Sequence, residues 1–201
     1  MSDKIFLQEM AATVAFFDMR RFSQIVAQLG PVDLGVALRR YYEHVEESVL
    51  RHDGRIIKFM SDGVLGLFPS VSAKDHAGNG LAALKELRES NDAWLAENDT
   101  FGLPVMEFSA GAASGGVLFG ELGTARQRAH DVLGQPVILA IRLARLATER
   151  CTPHLVSANT IQIARQVQPS IEVDGAELGG QKLRIYRLLS GSEIEAARGE
   201  G

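Results

Sequence analysis

Apolar residues follow two rhythms along the chain, and the changes between them mark the elements. Residues 12–17 (ATVAFF) are an unbroken apolar run of strand formers, which predicts a central strand buried on both faces and ending at Asp18. Phe22, Ile25, Val26 and Leu29 then recur at helical spacing and stop at Gly30-Pro31. A longer helix is predicted from Asp33 to about Arg51, with Leu34, Val36, Leu38, Tyr41, Val45 and Val49 for its inner face. It ends at the turn signal His52-Asp53-Gly54. Residues 55–59 (RIIKF) and 64–68 (VLGLF) flank Met60-Ser61-Asp62-Gly63. Asp-Gly between apolar runs predicts a hairpin, because glycine accepts the positive φ of such a turn.

The pattern from 73 to about 94 is helical, with Ala77, Leu81, Leu84 and Leu87 on one side. Residues 105–114 and 117–122 predict two strands, the second framed by glycines, followed by a polar, basic and mobile segment at 123–130 (GTARQRAH). A helix over 136–146 opens at Pro136, which suits a first helical turn. A short strand at 154–157, a helix over 159–167 and strands near 171–173 and 183–189, flanking Gly179-Gly180, complete the chain. This mixture predicts an α+β fold with a largely antiparallel sheet. Residues 1–10 read as an N-terminal leader, 11–190 as one domain and 191–201 as a flexible tail.

Composition narrows the class. The 201 residues, 46% hydrophobic and 23% charged, fit one ordinary globular domain with a core of its own. A net charge of −4 argues against a partner made of nucleic acid, which would call for a basic face. The opening MSDKIFLQEM lacks the apolar core of a signal peptide, and no apolar run reaches the ~18 residues a membrane span needs. With one cysteine no intrachain disulfide forms, so a cytoplasmic setting is expected.

Three segments place charge at the end of a strand or the start of a helix. In Phe16-Phe17-Asp18-Met19-Arg20-Arg21-Phe22-Ser23, a carboxylate at the edge of an apolar strand needs a partner or a cation. The amides that follow suit phosphate oxygens. Taken alone, Asp18 is equally a helix N-cap. In Lys58-Phe59-Met60-Ser61-Asp62-Gly63, Asp62 is either part of a turn or a second carboxylate that meets Asp18 and holds Mg²⁺ with it. The third segment, 131–143, carries Arg142 in an otherwise apolar helix, where it is either a snorkelling side chain or a functional one.

In this order and spacing the segments resemble the class III adenylate/guanylate cyclase catalytic domain. Phe16 to Ser23 resembles its F-x-D-(I/M)-x-x-F-(S/T) turn, and Lys58 to Gly63 its (K/E)-x-x-G-D-G, with Ser61 in place of glycine. Gly111, Gly115, Gly120 and Gly123 resemble its glycine-rich strand pair. Asp131 to Leu143 resembles D-(V/I)-x-G-x-x-V-N-x-A-x-R-L. The likeness covers about residues 11–189.

The resemblance implies a ferredoxin-like βαββαβ core with C-terminal additions, acting as a homodimer. It further implies that Asp18 and Asp62 bind Mg²⁺ or Mn²⁺, two ions per site, while Met19, Arg20, Arg21, Phe22 and Ser23 cradle the triphosphate. Lys58 and Asp131 of the other subunit would read adenine, ammonium to N1 and carboxylate to the exocyclic amine, favouring ATP over GTP. Arg142 would stabilise the transition state of cyclisation to 3′,5′-cyclic AMP and pyrophosphate. One departure bears on turnover: the family asparagine falls at Ile138, which cannot hydrogen-bond. A lost polar contact of that kind costs ~10²–10³ in rate. A catalytically weak module with a regulatory nucleotide-binding role, and a cyclase acting on a pyrimidine nucleotide, are the alternative expectations. A family lysine near the last hairpin falls at Gly179 or Gly180, with Lys182 close by.

Overall fold

The apolar run at 12–17 is the middle of a longer strand, β1 (Leu7–Met19), and it is apolar throughout because both of its faces are covered. Ala12, Val14 and Phe16 pack with Ala140 and Ala144 of a helix on one side. Ala15, Phe17 and Met19 pack with Tyr41, Val45, Leu84 and Leu87 from helices on the other. These layers belong to a computed structural model that describes residues 7–124, 126–166, 168–178 and 181–199.

In chain order the elements after β1 are α1 (Phe22–Gln28), α2 (Pro31–Arg51), β2 (Arg55–Phe59), β3 (Gly63–Pro69), α3 (His76–Thr100), β4 (Phe108–Gly123) and β5 (Arg128–Leu133). They continue with α4 (Gln135–Glu149), β6 (His154–Ser157), α5 (Ala158–Ile163), β7 (Ser170–Leu178), β8 (Gln181–Leu188) and α6 (Gly191–Gly199). The sheet runs β2-β3-β1-β4-β6-β8-β7, with β5 paired to β4 off this path. Its first four strands, with α1/α2 and α3 as crossovers, make the ferredoxin-like βαββαβ core; every pairing is antiparallel except β4 with β6. Among the described residues no helix is long and apolar enough to cross a membrane.

The sequence expectations need correction in the middle of the chain. Residues 105–122 are not two strands: β4 is continuous for 16 residues, and its glycines serve a helix instead of a turn. A Cβ on Gly111 would lie 2.1 Å from the Ala140 carbonyl oxygen, and one on Gly115 3.0 Å from Pro136. The missing side chains let α4 sit directly on the strand. Nor do the described residues of 123–130 form a mobile loop. A turn closed by Thr124 N–H to the Gln127 carbonyl at 2.9 Å returns the chain as β5 along β4. The sheet then curls until β5 reaches β2, with Lys58 Nζ 2.7 Å from Asp131 Oδ2 and the Arg55 guanidinium over the Phe119 ring.

Both ends also differ from expectation. β1 starts at Leu7, inside the residues read as a leader. Residues 191–199 are helical, and Glu193 accepts hydrogen bonds from Arg88, Arg187 and the Ser190 amide. Val167 and the Gly179-Gly180 turn lie outside the described residues.

Candidate active site

Asp18 is the penultimate residue of β1 and sits opposite Gly63 in the β1–β3 register, which brings it beside Asp62. The turn holding Asp62 is fixed from several sides. Met60 N–H donates to the Gly63 carbonyl at 2.8 Å, and Met19 N–H donates to the Asp62 carbonyl at 2.7 Å. The Tyr42 hydroxyl, from α2, donates to the Met60 carbonyl at 2.6 Å. Gly63 is needed here because a Cβ would stand 2.3 Å from the Phe16 ring and 2.9 Å from the Phe17 carbonyl oxygen. The two carboxylates are therefore held together by backbone, not by chance rotamers.

Asp18 is the carboxylate whose titration departs from the ordinary. Burial raises the Asp18 pKa, a hydrogen bond from Thr148 Oγ1 at 3.1 Å opposes that, the Asp62 charge raises it again and Arg145 pulls it down. The result is a pKa above the ordinary carboxylate value. Tyr41 lies fully buried close enough to feel both carboxylates, and its hydroxyl has no hydrogen-bond partner among the described residues. Two adjacent carboxylates, one of them half-buried, fit Mg²⁺ or Mn²⁺, which take few protein ligands and complete their shell with substrate oxygens. No group of three or more His, Cys, Asp or Glu side chains clusters among the described residues, so ions here would depend on ligands from outside the protein.

The segment after Asp18 divides between core and rim. Met19 is buried among apolar residues, and its amide, like that of Arg20, is engaged, the latter with the Glu107 carbonyl at 2.8 Å. The Arg20 guanidinium turns inward, donating to Ser109 Oγ at 2.6 Å and to the Thr152 carbonyl at 2.5 Å. Arg21 is exposed, has φ 55° and pairs with Glu107 at 3.0 Å. Phe22 packs on the core and Ser23 is exposed; their amides make no hydrogen bond outside α1 among the described residues.

Lys58 and Asp131 pair with each other, 2.7 Å apart, where the curl brings β2 against β5. Arg142 is exposed and has no hydrogen bond or ion pair among the described residues. It lies with Arg145 and Arg150 along a groove of about 410 Å³ between α4 and the β7–β8 hairpin. Ile138, one turn earlier on α4, is 56% exposed. Two contributors escaped sequence reading, Thr148 and Arg145, which approach Asp18 from the last turns of α4. Their only signal is position: they continue the helical face of Ile138 and Arg142.

No family model matches the chain. An uncharacterized protein of Mycobacterium tuberculosis is 29% identical over 157 residues, covering 78% of this chain and 28% of that protein. Another, of Mycobacterium bovis, is 28% identical over 159 residues, covering 79% and 28%. The chain thus spans under a third of the length of these relatives.

Solved structures are more informative about fold. The adenylyl cyclase CyaB from P. aeruginosa superposes with a TM-score of 0.81 at 22% identity, covering 93% of this chain and 97% of that one. The guanylyl cyclase Cya2 gives 0.75 at 22%, covering 91% and 93%. The guanylate cyclase domain of RhGC from Catenaria anguillulae, in complex with GTP, gives 0.78 at 19%, covering 91% and 98%. The chain has the fold of the class III nucleotide cyclase catalytic domain, as the motif resemblance implies.

Proposed function

We propose that this chain is a nucleotide cyclase that converts ATP to 3′,5′-cyclic AMP and pyrophosphate, at sites shared between two copies. The observation that carries this reading is the pair Asp18–Asp62, two carboxylates held side by side by backbone at the tips of neighbouring strands, one of them half-buried. They would hold the two divalent ions, Mg²⁺ or Mn²⁺, whose chemistry is to activate the ribose 3′-hydroxyl and offset charge on the triphosphate. The amides at the start of α1 and the exposed Arg21 border this place and suit phosphate oxygens.

The rest of the machinery is assigned by chemistry. Lys58 donates to adenine N1 and Asp131 accepts from the exocyclic amine, a pattern that guanine reverses. Adenylyl and guanylyl cyclases share this fold, so the choice of base rests on such side chains. Arg142, exposed and without a partner among the described residues, is supplied to the α-phosphate at the site of the second copy, where developing charge needs a fixed cation. A soluble cytoplasmic homodimer completes this reading.

Ile138 favours one second reading. Its exposed apolar side chain stands where the family's asparagine would be, on the face that carries Arg142, and suits a module that binds nucleotide without turning it over efficiently. One experiment separates the two. The purified chain is incubated with each of the four ribonucleoside triphosphates and Mn²⁺, and cyclic products are sought by mass spectrometry, with Asp18→Ala as control. Cyclic AMP that disappears in the variant is the expected result. Binding without product supports the second reading, and a cyclic pyrimidine nucleotide would overturn the base assignment. Mixing Asp18→Ala with Arg142→Ala subunits should restore activity if sites are shared, since one site of the mixed dimer holds neither change.

A further inference from the structure

Arg142, Arg145 and Thr148 follow one another along α4 at intervals of three residues, each about one turn beyond the last. The end of that row is fixed. Thr148 Oγ1 donates to Asp18 Oδ2 at 3.1 Å, which seats the last turns of α4 at the carboxylate of the same chain. Arg145 stands one turn before this bond, on the wall of the groove between α4 and the β7–β8 hairpin that Arg142 also lines. Its charge reaches Asp18 and favours the ionised form of that carboxyl.

Arg145 is exposed and makes no hydrogen bond or ion pair among the described residues. An acid is available to it. Glu149 lies four residues on, the spacing at which Arg39 and Glu43 pair at 2.8 Å on α2, yet Arg145 and Glu149 form no such pair. The other acid of the groove, Glu177, is the register partner of Lys182 across the β7–β8 hairpin. A cation in this position has a cost. Beside two carboxylates proposed to hold divalent ions, an arginine bonded to neither repels those ions without holding the acids in place. An anion that enters with the ions reverses that cost. The triphosphate of the proposed substrate is such an anion, and a guanidinium binds its oxygens through paired N–H groups.

We propose that Arg145 binds the triphosphate at the site built on its own chain's Asp18 and Asp62, while Arg142 serves the site of the second copy. The proposal rests on the nucleotide-cyclase reading and adds a division of labour to it: two arginines one turn apart on α4 serve different sites.

Binding and subunit mixing test it. 3′-Deoxy-ATP, which lacks the hydroxyl that cyclises, is titrated by calorimetry in the presence of Mn²⁺ into the parent chain, Arg145→Gln and Arg145→Lys. Arg145→Gln should bind about tenfold more weakly and Arg145→Lys within about threefold of the parent, both with the parent's thermal midpoint. In cyclase assays at low ATP, Arg145→Gln mixed with Asp18→Ala should gain nothing, because each site of the mixed dimer carries one change. Mixed with Arg142→Ala it should exceed both unmixed variants, because one site then carries neither change. The reverse pattern assigns Arg145 to the second copy's site and overturns the proposal. Triphosphate binding unchanged in Arg145→Gln overturns it, as does a lowered thermal midpoint, which marks a structural role. A parent chain that binds 3′-deoxy-ATP through Arg145 but forms no cyclic product supports the proposal and overturns only the cyclase reading. A parent chain that does not bind 3′-deoxy-ATP overturns both.

Discussion

Thr148→Val isolates the one neutral side chain that, among the described residues, bonds to a candidate metal-binding carboxylate. Its hydroxyl donates to Asp18 Oδ2 at 3.1 Å, and valine keeps the size while removing the donor. Hydrogen bonds to charged groups contribute ~1.5–3 kcal/mol. Asp18 is only half-buried, so solvent screening reduces the loss to about 1 kcal/mol. The Asp18 pKa should rise further as the donor is lost. The sign with pH follows. Asp18 already titrates above its ordinary 3.8, so ionising it costs the fold, and that cost appears as pH rises through the carboxylate range. The variant should therefore be less stable than the parent at pH 7.5, and the gap should close as Asp18 is protonated. Carboxyl-carbon NMR of the metal-free protein gives the pKa directly, and urea unfolding at acid and neutral pH gives the stabilities. An Asp18 pKa that is unchanged or lower in Thr148→Val would refute the reasoning.

Other expectations follow from other contacts. Gly111→Ala forces a Cβ to within 2.1 Å of the Ala140 carbonyl oxygen and 2.3 Å of the Ala144 nitrogen, so α4 must lift from β4. A loss of about 3 kcal/mol is expected, and an unchanged thermal midpoint would contradict the close approach. Tyr42→Phe releases the Met60 carbonyl and with it the turn bearing Asp62, costing about 1 kcal/mol in urea unfolding. A Mn²⁺ titration should show weaker binding in the same variant. His154, lowered to about 3 when folded against 6.5 when unfolded, stabilises the fold above pH 6.5, and that contribution is lost as pH falls. Stability should drop by about 1.4 kcal/mol per pH unit below 6.5, His44 adding in the same direction, and His154→Gln should flatten the slope.

What could be read from the sequence was set by whether burial writes a pattern. β1 was legible because two covered faces demand an unbroken apolar run, and the β2–β3 turn because Asp62-Gly63 lies between two such runs. The glycines of β4 misled because their purpose is tertiary. A residue that lets a helix touch a strand looks the same in sequence as one that turns a chain. β5 was missed because Arg128, Ala129 and His130 are all exposed and only Val132 near its end is buried, too little alternation to announce a strand. In the candidate site, Asp18 beside Asp62 and Lys58 beside Asp131 followed from motif order. Thr148 and Arg145 belong to no motif, and only the placement of α4 over the end of β1 reveals them.

On the proposed function, the Lys58–Asp131 pair would tie base recognition to architecture. It joins strands that are far apart in the order of the sheet and acts as a clasp on the curl. Lys58→Glu, the simplest change toward a guanine-reading site, would set two carboxylates against each other at that clasp, opening it before any nucleotide arrives. If these two residues read the base as proposed, specificity would not be free to drift one residue at a time. A viable path to a new base must change both ends of the clasp together, or first brace the curl elsewhere.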